Sequence, residues 1–82
     1  MPTVLRFLSY RVVIYTNDHT PRHVHVLGNG YEAVFELNCP NGPPALRVNH
    51  NIPRRSLVTI QSHLSANLAG LCAQWSAIHG HD

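Results

Sequence analysis

The chain has 82 residues and a formal net charge of +2; its six basic residues are all arginine, set against four acidic residues, with seven histidines besides. That length holds one domain (1–82) with one core, burying roughly 60 to 65% of the surface exposed on unfolding, and a hydrophobic fraction of 44% excludes a disordered chain. No apolar run reaches the roughly 18 residues of a membrane span, and Arg6 and Arg11 interrupt the opening stretch where a signal peptide needs continuity, so a cytoplasmic protein without membrane contact is expected.

Two strands open the chain. Residues 3–8 and 11–16 are rich in β-branched and aromatic residues, and Ser9-Tyr10 between them is short enough for a hairpin turn. The segment Asn17-Asp18-His19-Thr20-Pro21 reads as a loop, because Asn and Asp bond their own backbone and proline fixes one dihedral angle. Polar and apolar residues then alternate over 22–27 and again over 31–37, with Gly28-Asn29-Gly30 between the two runs. An Asn-Gly pair so flanked is a strong hairpin signal. A two-residue loop pairs odd positions with even ones, which places Val24 and Val26 on one face with Tyr31, Ala33, Phe35 and Leu37. His23, His25, Glu32, Val34 and Glu36 then share the opposite face, which is expected to point away from the main core into solvent.

Residues 38–51 are dense in Pro, Gly and Asn and read as loop, with 45–48 a candidate short edge strand. Beyond Ile52 the apolar period lengthens. Leu57, Ile60, Leu64, Leu68, Leu71, Trp75 and Ile78 form a single stripe, which predicts a helix over 53–79 with Asn51 as N-cap, Gly80 as stop and Gly70 as either a bend or a place where another backbone approaches. Such a helix is about 40 Å long, more than the roughly 20 Å of a typical strand, so part of its stripe is expected to overhang the sheet and call for a partner, a kink or a dimer. The fold class is α+β: an antiparallel sheet of about four strands against one long C-terminal helix. Cys39 and Cys72 lack CxxC spacing and are expected to be reduced thiols.

Three constellations can carry chemistry. Asp18, His19, His23 and His25 offer ligands to a zinc-like divalent metal, because histidines at i and i+2 on a strand both reach one cation and the preceding loop adds a third donor. A site with three protein ligands and an open position suits a metal that activates water. A solvated strand face with His–Glu pairs explains the same spacing. In metal-free form, His23 and His25 can divide acid and base roles with Glu36 as orienting carboxylate, one way to cleave RNA. The third constellation is Arg54 and Arg55 at the helix start, an anion-binding candidate whose two positive charges oppose the helix dipole. The histidine-triad hydrolase motif is excluded, since Leu27 stands where its third histidine belongs. P-loop, dinucleotide-glycine and GxSxG patterns are absent.

Asn17-Asp18-His19, Pro21 and His23-Val24-His25-Val26, with Met1 to Leu5 ahead and Trp75 late in the helix, resemble a family of small bacterial proteins catalogued as domain of unknown function four-one-six-zero. The resemblance covers most of the chain. Arg22 stands where that family has a second proline, and the helix is poor in the Glu and Lys that family helices carry. The resemblance implies a component of a prokaryotic two-protein module of toxin–antitoxin type, acting in complex with a cognate small protein from an adjacent gene. Spacing and composition add the alternative of a small ribonuclease or phosphoesterase acting through the His23 and His25 face, with RNA as partner.

Overall fold

A computed structural model describes residues 3–80; Met1, Pro2, His81 and Asp82 lie outside them. Five strands form one antiparallel sheet in chain order: β1 (Thr3–Phe7), β2 (Tyr10–Val13), β3 (His23–Gly28), β4 (Tyr31–Glu36) and β5 (Ala45–His50). Two helices follow, α1 (Arg54–Ala66) and α2 (Leu68–His79).

The β3–β4 hairpin has the expected register. His23 lies opposite Glu36, Val24 opposite Phe35 and Gly28 opposite Tyr31. The two-residue loop is Asn29-Gly30, with φ of 47° and 79°, a left-handed pair that Asn and Gly adopt most readily. Val24, Val26, Ala33 and Phe35 consequently gather on one face and pack with Ile60, Leu64, Leu68, Leu71 and Trp75 of the helices in a single core.

The first hairpin turns one residue earlier than expected. Phe7 pairs with Tyr10, so the turn is Leu8-Ser9, which leaves Leu8 exposed while Phe7 and Tyr10 pack on the core. Strand β2 stops at Val13 rather than residue 16, because a tight turn follows at once: the Asp18 amide donates to the Tyr15 carbonyl at 3.1 Å, and the Tyr15 amide donates to Asp18 Oδ2 at 3.0 Å. At the other edge β5 is a full strand of six residues along β4, so the sheet has five strands rather than about four.

The single long helix is corrected to two. Asn67, at φ −114° and ψ 15°, leaves the helical region, and its side-chain amide donates to the His63 carbonyl at 2.8 Å, closing the end of α1. Gly70 lies inside α2 and bends nothing. The break shortens each piece to about 20 Å, matched to the strands, whereas an unbroken 40 Å rod would exceed the longest molecular dimension of 34 Å. The overhang that called for a partner does not arise. Asn51 is not the N-cap of α1 either; it has φ 72°, the N-cap is Pro53, and neighbouring Asn49 brackets the turn by two hydrogen bonds to the Ile52 backbone, each 3.0 Å.

Cys39 and Cys72 form a disulfide, against the expectation of free thiols. Their separation of 33 residues hides the proximity that the fold creates, since the 38–44 loop folds back onto α2. Disulfides are rare in the cytosol, so this pairing lends no support to the cytoplasmic address expected from the opening stretch. Among the described residues no helix is long and apolar enough to cross a membrane.

Candidate metal centre at the start of β3

Three of the four expected ligands converge. Asp18, His23 and His25 each present a ligand atom within 4.8 Å of the other two. The Nε2 atom of His25 lies 3.3 Å from Asp18 Oδ2, and that of His23 lies 3.5 Å from Asp18 Oδ1. In a tetrahedral zinc site with bonds of about 2.0 to 2.1 Å, neighbouring ligand atoms are about 3.3 to 3.4 Å apart, so these two separations already match an edge of such a tetrahedron.

Each side chain is aimed by a neighbour. His23 Nδ1 lies 2.8 Å from the Pro21 carbonyl, and because a carbonyl only accepts, Nδ1 carries the proton and donates it. His25 Nδ1 donates in the same way to Glu32 Oε2 at 3.4 Å. With both Nδ1 atoms protonated, each neutral ring turns a lone pair on Nε2 toward Asp18. Two lone pairs then face a carboxylate, an arrangement of acceptors that needs positive charge between them, either a proton on each ring or a cation. Asp18 itself is fixed by the Tyr15–Asp18 turn, and Tyr15 also lays its ring against His25 edge to face, centroids 4.6 Å apart.

The environment corrects the expectation of a wet histidine face. His23 is 7% exposed, its ring 5.3 Å from that of Trp75, which is fully buried and packs in turn, at a tilt, against His79 at 4.2 Å. The alternation of β3 was read correctly, but α2 reaches round the start of the strand and covers His23, while the Asp18 loop covers His25. Their side chains retain 9% and 15% exposure, enough for a small ligand and too little for a solvated pair.

The remaining candidates lie elsewhere. His19 is exposed and joins no ligand group among the described residues. Glu36 is opposite His23 in register, yet its carboxylate lies 4.0 Å from Arg47 Nε rather than on a histidine; Glu32 takes the orienting role on His25. Arg54 and Arg55 are exposed at the start of α1, and Arg54 lines a cleft with Phe35, Leu46 and Leu57 on the helix side of the sheet, so neither arginine joins the histidines. The Pro21 carbonyl and Trp75 complete the site and carry no sequence signal of chemistry.

A family model described as domain of unknown function (DUF4160) matches residues 9–76, well over half of the chain. No curated protein and no solved structure matches the chain significantly.

Proposed function

The chain belongs to the DUF4160 family, and from that premise we propose that it binds one zinc-like divalent cation through Asp18, His23 and His25 and works as a metal-dependent phosphoesterase or ribonuclease. One observation carries the reading: three acceptor atoms from a loop and a strand are held facing one another, each from behind, by the Tyr15 amide, the Pro21 carbonyl and Glu32. Three protein ligands leave a coordination position for water or a substrate oxygen, the arrangement of hydrolytic rather than purely structural sites. Acceptors behind the rings, here the Pro21 carbonyl and Glu32, fix the tautomer of a ligating histidine and raise its basicity.

Calorimetric titration with zinc tests it. Expected are one ion per chain and a loss of at least about a hundredfold in affinity for His25→Ala and for Asp18→Asn, since a ligand is removed outright. Hydrolysis of an activated phosphodiester should disappear with the ion. Unchanged zinc affinity in both variants, with the fold intact by circular dichroism, would end the reading.

A second reading, favoured by a different observation, is the toxin–antitoxin-type module. All six residues of β5 are exposed, Leu46 and Val48 among them, and none of the described residues pairs with its outer edge. A cognate small protein can add a strand there, main chain to main chain. Co-purification with the product of the adjacent gene, lost on replacing Val48 by proline, is the expected outcome; a complex indifferent to that change would not use this edge.

A further inference from the structure

Strand register places a second constellation on the face that carries His25. Val13 lies opposite His25, Arg11 opposite Leu27, and Arg6 opposite Arg11. Because side chains alternate, the two guanidinium groups and His25 point to the same side of the sheet, Arg11 one diagonal step from His25.

A direct cross-strand pair of like charges costs stability. Elsewhere the arginines of the sheet and its loops find oxygen partners: Arg47 approaches Glu36 at 4.0 Å and Arg22 donates to the Cys72 carbonyl at 3.5 Å. Arg6 and Arg11 form no ion pair or hydrogen bond among the described residues. They line a predominantly polar cleft of about 410 Å³ together with Ser9, Leu27 and the Gly28-Asn29-Gly30 turn. Positive φ at Asn29 and Gly30 makes this a two-residue hairpin whose central N–H groups are not consumed by strand pairing. Two planar forks, a hydroxyl and turn amides surround one cleft whose lining holds no carboxylate, and such a donor set suits a phosphate.

We propose that the Arg6–Arg11 cleft binds the phosphate group of a phosphate ester and lays the ester along the sheet face toward Asp18, His23 and His25. The phosphate grip stands on its own geometry; only the direction in which the ester extends rests on the hydrolytic reading of the histidine site. Within that reading the arginines set substrate class, favouring phosphoesters over carboxylic esters and amides, and they touch a phosphate next to the reacting one.

The test uses the full chain and two probes, inorganic phosphate followed by amide chemical shifts and a short single-stranded RNA followed by fluorescence anisotropy, each with and without zinc. Shifts are expected at Arg11, Leu27, Gly28 and Asn29, and Arg6→Ala with Arg11→Ala should weaken binding at least about tenfold while thermal stability holds or rises. Binding of RNA with little response to free phosphate identifies a strand as the source, and equal response to both identifies a small phosphate ester; either supports the site. His25→Ala separates the two readings, for it should abolish zinc binding and leave phosphate binding unchanged. Absence of shifts at this corner, or a double arginine variant that binds as tightly as the wild type, overturns the proposal.

Discussion

The two ends of β3 follow one alternation and end in opposite environments. At its start His23 and His25 are roofed by the Asp18 loop and by Trp75, and every ring nitrogen has a neighbour within hydrogen-bonding or ion-pairing distance. At its finish Leu27 and Gly28 border an open cleft in which two arginines have no ion-pair or hydrogen-bond partner among the described residues. Alternation therefore decides which face a side chain takes, and the loops and helices packed around the strand decide whether that face is wet. The first end is a preorganised pocket; the second is a surface that waits for charge from outside.

The largest expected effect breaks the covered end. Trp75→Ala removes the wall behind His23 from a position with no solvent exposure, and large-to-small changes at such sites cost about 3 to 5 kcal/mol. Urea unfolding should show that loss, and zinc affinity should fall with it because the His23 ring is no longer confined. The arginine corner should respond differently: the same variant keeps the Asn29-Gly30 turn and its amide shifts under conditions where it remains folded. A loss below about 1 kcal/mol would mean that the site collapses onto the gap, and the contrast between the two ends would lose its structural basis.

How much of this was legible follows the same division. The β3–β4 register could be read from Asn29-Gly30 and from the concentration of Val24, Val26, Ala33, Phe35 and Leu37 on one side, since a slip of one residue would scatter them. It placed His23, His25 and Glu32 together correctly. The burial of His23 was not legible, because it depends on a tryptophan 52 positions later that period alone assigns to the core stripe. The choice of Asp18 over its neighbour His19 was equally hidden; it is made by the Tyr15–Asp18 turn, which also cuts β2 short. The break at Asn67 escaped because Leu64 and Leu68 keep a spacing of four across it, so the stripe shows no defect while the backbone has one. Disulfide pairing across 33 residues is a property of the folded chain and of no local pattern.

The smallest expected effect sharpens the comparison inside the covered end itself, where the two histidines are aimed by unlike partners. His23 donates to a backbone carbonyl at 2.8 Å, which no side-chain substitution removes, whereas His25 donates to a half-exposed carboxylate at 3.4 Å. Outer partners of metal-binding histidines are worth 10- to 100-fold in affinity, and a long bond to a carboxylate open to solvent belongs at the lower limit. Glu32→Ala should therefore weaken zinc binding about tenfold, measured by competition with a chromogenic chelator, and Glu32→Gln should restore part of it, because the amide oxygen still accepts from Nδ1 without the charge. Stability should barely change, as the carboxylate retains 42% exposure. Unaltered affinity in both variants would assign the aim of His25 to the edge of the Tyr15 ring at 4.6 Å, and the site would then be oriented by packing on one side and by the backbone on the other, with Glu32 a bystander on the sheet.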